Sequence, residues 1–138
     1  MKRCGLFIHE VFQIIGASPD GMIRCNCCGD GVLELKCPLC LAETDDFASL
    51  KYLQENNTSN FELKEKHPYF YQVQTQMFCT GKGYADFFIW SPKKHHQERI
   101  PRNPIIIIKE IVSSSLNFFC NSIGPELLGM YFTNNYGK

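Results

Sequence analysis

The chain has 138 residues, fourteen basic and fourteen acidic, for a formal net charge of zero, so no global field announces a nucleic-acid binder. That length sets a single domain, 1–138, able to bury roughly two-thirds of its unfolded surface in a real core. No apolar run nears the roughly twenty residues of a membrane span. The apolar patch at 6–8 is broken at once by His9 and Glu10, too short for a secretory signal, so an intracellular chain without a membrane partner is expected.

In chain order, 6–15 carries apolar residues in broken alternation, which predicts two short strands or one bulged strand. Asp20 then falls between Pro19 and Gly21, on a sharp turn and a poor place for a core residue. Segments 22–24 and 32–36 are expected to form a hairpin, with Gly29, Asp30 and Gly31 supplying the turn. Alternation in Val32-Leu33-Glu34-Leu35-Lys36 sends Glu34 and Lys36 to one face and both leucines to the other. In that hairpin Asp20 sits at the far end, close to Glu34 and Lys36, and the pair is expected to face a solvent-filled groove.

Two carboxylates and a lysine make a specific chemical proposal. A hard divalent cation such as magnesium or manganese takes oxygen ligands, here Asp20, Glu34 and the backbone carbonyl of Leu35. Lys36 would hold or deprotonate an attacking water, and the fitting substrate is a phosphodiester. The plainer alternative is a hairpin with a solvated Asp and an exposed Glu/Lys pair. The joint occurrence of the Pro-Asp turn and the Glu-x-Lys strand at hairpin distance favours the metal site.

Eight cysteines in an intracellular chain argue for free thiols or metal rather than disulfides. Five cluster as Cys25-x-Cys27-Cys28 and Cys37-x-x-Cys40, a spacing that suits structural zinc on Cys25, Cys28, Cys37 and Cys40, with Cys27 as substitute. Cys37 is also readable as a small buried residue. Cys4, Cys79 and Cys120 are expected in the core.

Downstream, Phe47, Leu50 and Leu53 are spaced for a short helix opened by Thr44, Asp45 or Asp46, and 61–63 for a brief strand. Pro68 suits the first turn of a helix over 69–80 that carries Tyr69, Gln72 and Gln76 on one face and leaves Gln74 a structural role. Gly81 and Gly83 close it. The sheet-forming run at 84–90 predicts a strand beside 32–36, in which Asp86 is read as facing a lysine or a helix end rather than a metal. Lys93, Lys94, Arg99 and Arg102, with His95 and His96, make either a solvated loop or a DNA contact. A turn over 91–96 should lead to an edge strand at 97–100. Asn103-Pro104 looks like a helix start for 105–120, although the isoleucine run also fits a buried strand.

Three blocks carry a family resemblance: Gly-Ala-Ser-Pro-Asp-Gly at 16–21, Leu-Glu-Leu-Lys-Cys-Pro at 33–38 and Tyr-Gln-Val-Gln at 71–74. In that order they resemble the PD-(D/E)xK nuclease superfamily, in the branch of lambda exonuclease and the YqaJ-like viral recombinases. A Pro-Glu-Leu at 125–127 is similar to eukaryotic members. The resemblance implies an α/β, restriction-endonuclease-like core with a central mixed sheet flanked by helices. It also implies that Gln72 completes the catalytic set of Asp20, Glu34 and Lys36, and that Tyr69 supports the site or touches DNA. The implied activity is 5′ to 3′ digestion of double-stranded DNA ends in recombination, repair or mobile-element DNA processing, in a homo-oligomeric trimer beside a single-strand annealing protein, and in the nucleus if the host is eukaryotic. The family's N-terminal helical part, which supplies a further acidic ligand and a basic residue for the DNA end, is missing before Gly16, where Glu10 is the sole carboxylate. The chain then reads as a fragment, a shortened copy or an inactive one. The competing expectation is a zinc-stabilised, non-catalytic DNA-binding or interaction module.

Overall fold

A computed structural model describes residues 4–43, 46–56, 60–130 and 134. Its first paired segments are short: β1 (Phe7–Ile8) lies antiparallel to β2 (Gly16–Ala17). The 6–15 stretch therefore contributes one two-residue strand rather than two strands or a bulged one. The reason is local, because His9 Nδ1 accepts the N–H groups of Val11 and Phe12 at 3.2 and 3.0 Å and turns the chain. Phe12 and Ile15 are thereby free to pack inward on Phe78.

The expected hairpin forms from β3 (Gly21–Cys25) and β4 (Gly29–Lys36), with Gly21 opposite Leu33 and Cys25 opposite Gly29, but its turn is at 26–28: Gly29, Asp30 and Gly31, expected to make it, are paired strand residues of β4. Gly31 lies beneath the Tyr84 ring, and a Cβ there would overlap ring carbons, so the close approach requires glycine. Beyond Lys36 the chain makes a 3₁₀ turn at Leu39–Leu41 and another at Phe47–Ser49. β5 (Leu53–Glu55) then pairs antiparallel with β6 (Phe61–Leu63). The helix expected through Phe47, Leu50 and Leu53 is thus a single turn followed by a strand. Asp46 caps that turn by accepting the Ala48 N–H at 2.9 Å, while Thr44 and Asp45 lie outside the described residues. All three apolar side chains still reach the core, so their burial was legible and their helical period was not the cause of it.

Helix α1 (Pro68–Thr80) starts with Pro68 in its first turn and His67 Nδ1 accepting the Tyr69 N–H at 3.2 Å, and it ends at Gly81 in the left-handed conformation. It is the crossover that a parallel strand pair needs. β7 (Tyr84–Trp90) runs parallel to β4, with Val32 opposite Ala85 and Lys36 opposite Ile89. β8 (His95–Pro101) returns antiparallel, a longer strand that begins two residues before the expected 97–100. The result is a mixed four-stranded sheet in the order β3-β4-β7-β8.

Phe70, Val73 and Met77 of α1 pack on Val32, Ala85, Phe87, Ile89 and Ile100 of the sheet. A second side of α1 presents Phe78 to Ile107, Ile111 and Val112 of the C-terminal helix α2, which is helical over 104–129 with π-type stretches at Ile107–Val112 and Phe119–Ile123. Asn103 opens α2 by accepting the N–H groups of Ile105 and Ile106 at 3.1 and 3.2 Å. The isoleucine run is therefore helix, and only Ile107 of its four members is fully buried. The α/β class and the central mixed sheet flanked by helices are as expected. Among the described residues no helix is long and apolar enough to cross a membrane.

Candidate active site

The end of β4 assembles the predicted residues. Asp20, exposed on its turn, accepts the Leu35 N–H on Oδ2 at 2.7 Å, and its own N–H donates to the Leu33 carbonyl at 3.0 Å. An extended residue sends its N–H and C=O to the same edge, so the Leu35 carbonyl faces the Asp20 side of the strand.

On the face turned toward α1, Glu34 is 3% exposed. Its Oε1 accepts from Lys36 Nζ at 2.5 Å and from Gln72 Nε2 at 2.8 Å, and its Oε2 accepts from Gln76 Nε2 at 2.6 Å. Lys36 Nζ also donates to Gln72 Oε1 at 3.2 Å and lies 4.1 Å from the centre of the Tyr69 ring. A buried carboxylate tolerates its desolvation only with such charged and polar donors around it. This corrects the expected solvent-filled groove, because alternation puts Glu34 under α1 and helical spacing drops Gln72 and Gln76 onto it.

Tyr69 supports the lysine from within an aromatic group: its ring meets Tyr52 at 5.1 Å and His67 at 4.9 Å. Burial, then Tyr69 and Cys40, push the Tyr52 phenol up to about 12. Gln74 points away, donating to the Pro101 carbonyl at 2.9 Å and accepting the Asn103 N–H at 2.8 Å, the structural role expected of it. Gln76 lies on the face of α1 expected from the sequence, and its task there is to hold Glu34. Its i,i+4 relation to Gln72 on a helix beside a charged strand is the signal that finds it. Its Oε1 is buried with no hydrogen-bond partner among the described residues. A cavity of about 510 Å³ lined by Gln54, Glu62, Lys64, Glu98 and Asn103 includes none of these residues.

The four-cysteine zinc set does not form. Cys25, Cys27 and Cys28 bring their sulfurs within 4.8 Å of one another, whereas Cys37 and Cys40 are exposed beyond the other end of β4. Eight extended residues hold the two groups roughly 25 Å apart along the strand. The Cys25 thiol is pushed down to about 6 by its hydrogen bond with Cys27, then by the N–H groups of Cys27 and Cys28 and by Arg99. Cys27 is pushed up to about 11 by Cys25 and then Cys28. Cys4 and Cys79 are half-buried, but Cys120 is exposed rather than in the core.

Asp86 is gripped by Arg99, whose Nε and Nη2 donate to its two carboxylate oxygens at 2.7 and 2.8 Å, so its partner is an arginine of the neighbouring strand rather than the expected lysine or helix end. Of the basic residues read together at 93–102, the two arginines make contacts of their own. Arg99 of β8 is tied to Asp86 of β7 and stacks 4.1 Å from the Tyr84 ring centre, and Arg102 lies over Phe78, whereas Lys93 and Lys94 are in the turn before β8.

Among solved structures the fold is similar to the alkaline exonuclease LHK-Exo from Laribacter hongkongensis, with a TM-score of 0.66 at 24% identity, over 99% of this chain and 63% of that one. The same exonuclease in complex with dAMP gives 0.67 at 24% identity over the same shares. The chain thus spans 63% of the length of the exonuclease chains it matches. No curated protein matches the chain by sequence. The profile of the YqaJ-like viral recombinase domain matches residues 1–83, a span that holds Asp20, Glu34, Lys36, Gln72 and Gln76. With that match added to the three sequence blocks and the fold, the chain belongs to the YqaJ-like viral recombinase domain family.

Proposed function

We propose that the chain is a metal-dependent DNA exonuclease that hydrolyses phosphodiester bonds at double-stranded ends, 5′ to 3′, in recombination, repair or mobile-element DNA processing. The observation that carries the reading is the convergence of Asp20, Glu34, Lys36 and Gln72 at the end of β4, within a member of this family.

Asp20, Glu34 and the Leu35 carbonyl are hard oxygen donors of the kind magnesium or manganese takes while retaining water. The fit is supported by the buried, partnerless Gln76 Oε1 on the side chain that donates to Glu34, an acceptor that a hydrated cation's water would satisfy. A divalent ion held there would supply Lewis acidity at the scissile phosphate and a lowered pKa for a bound water. The chain's own residues do the rest. Gln72 and Gln76 fix the Glu34 carboxylate from two sides, and Lys36, braced by Tyr69, presents its ammonium to hold a water or a phosphate oxygen. Tyr69 steadies Lys36 or touches the DNA end. A homotrimer and an annealing partner belong to the same reading.

The test is digestion of linear duplex DNA labelled at the 5′ or the 3′ end, with and without magnesium, beside a closed circular control. Magnesium-dependent loss of the 5′ label first, with the circle intact, is expected. Attack on the circle, loss of the 3′ label first, or no digestion with the duplex retained in a gel shift would each contradict it.

A further inference from the structure

The turn joining β3 to β4 carries three thiols that the proposed hydrolysis does not use. Cys27 and Cys28 are exposed, so apolar burial does not explain cysteine at either position. Their convergence is specific: Sγ of Cys25 and Cys27 are 3.0 Å apart, those of Cys27 and Cys28 are 3.3 Å apart, and all three lie within 4.8 Å of one another. Sulfurs so spaced leave a point close to the roughly 2.3 Å zinc–sulfur bond length from all three. The backbone enforces the arrangement, since Cys25 pairs with Gly29 across a three-residue turn and Gly29 takes φ 76°, the left-handed conformation that a three-residue hairpin turn demands. A cation stands on the same face of the sheet, for Arg99 grips Asp86 there and helps hold the Cys25 thiol down. It would offset the negative charge that three thiolates bring to an ion.

We infer that Cys25, Cys27 and Cys28 form a binding site for a thiophilic d¹⁰ cation, zinc(II) or copper(I), at the tip of the β3–β4 hairpin. Thiolate ligands select such ions over magnesium or manganese. With three protein ligands a zinc ion keeps a fourth position for water or a partner's donor, whereas copper(I) is satisfied by three sulfurs. The site is separate from the Asp20–Glu34 cluster. It lies at the other end of β4, and strand alternation turns Cys25 to the face that carries Asp86 and Arg99, opposite the face on which Glu34 meets α1.

The experiment is metal titration of the reduced full chain without DNA, so its outcome is independent of nuclease activity. Zinc is titrated against a chelator of known affinity, copper(I) likewise under nitrogen, and cobalt(II) serves as the optical probe for thiolate-to-metal charge transfer. One equivalent of zinc or copper(I) is expected, with a cobalt charge-transfer band and three thiols shielded from alkylation. Cys27→Ser, an exposed position where folding is preserved, should weaken binding by more than the roughly 10- to 100-fold that loss of an outer-shell partner brings, and Cys25→Ser with Cys28→Ser should abolish the band. Cys37→Ser with Cys40→Ser should leave all readouts unchanged. Absence of binding by either ion, persistence of the band in the Cys25→Ser/Cys28→Ser variant, or its loss in the Cys37→Ser/Cys40→Ser variant would overturn the inference.

Discussion

Lys36→Met tests how the site is held together. The Glu34 side chain is 4% exposed and that of Lys36 18%, so removal of the ammonium strands a carboxylate under α1. Breaking a buried pair costs about 3–5 kcal/mol when nothing replaces the lost partner. Gln72 and Gln76 still donate to Glu34, which lowers the expected loss to about 2–4 kcal/mol. For a chain whose whole stability is on the order of 7–20 kcal/mol, that is a large fraction. Glu34→Gln removes the charge and keeps an amide for the network, so the double variant should regain part of the loss, with a coupling energy of about 1–3 kcal/mol. Urea unfolding followed by circular dichroism in metal-free buffer, on wild type, both single variants and the double, reads this directly. A Lys36→Met stability within about 0.5 kcal/mol of wild type, or single effects that simply add, would refute the burial argument. One consequence is practical: an inactive Lys36 variant reports on chemistry only once its fold has been checked.

Two other outcomes follow from local packing. His67 and His96 both have folded pKa values below the ordinary imidazole value, His67 through burial and then the Lys64 charge, His96 through burial. The fold disfavours their protonation, so their contribution is complete above about pH 6.5 and is lost as pH falls through that value toward the lower folded pKa. The urea midpoint should therefore drop between pH 7.5 and 6, and His67→Asn, which keeps a cap acceptor for α1, should drop less. An equal drop in the variant would remove His67 from the account. Gly31→Ala drives a methyl into the Tyr84 ring and should cost about 1–3 kcal/mol. A melt superimposable on wild type would show that the ring yields freely.

The hairpin and the βαβ crossover were legible because their signals are local and mutually consistent. Pro19-Asp20-Gly21 demands a turn, Val32 to Lys36 alternates, and Pro68 and Gly81 bracket α1. The side-by-side placing of Glu34 and Lys36 was readable from strand alternation, whereas helix period put Gln72 only on a face with Tyr69 and Gln76, and its meeting with Glu34 was implied by the family resemblance. Burial of Glu34 was not readable, because two charged residues two apart look the same on a solvated strand as beneath a polar helix face. Only the pairing of α1 with β4 decides, and that is tertiary. The Phe47, Leu50, Leu53 period misled because a one-turn helix and a following strand can send the same three side chains inward. The cysteine set failed through distance. Spacing in sequence counts residues, and the residues between Cys28 and Cys37 are an extended strand rather than a loop that brings the two groups together.

Asp20→Asn gives the most direct test of the central claim. The side chain is exposed, and the amide oxygen retains an acceptor for the Leu35 N–H, so folding is preserved while the negative charge that a cation would need is removed. Release of label from linear duplex DNA by wild type and Asp20→Asn, side by side across a magnesium series, should show metal-dependent digestion in the first and a loss of at least about 100-fold in the second. Equal digestion by both proteins, or digestion by wild type that is indifferent to magnesium, would contradict the account.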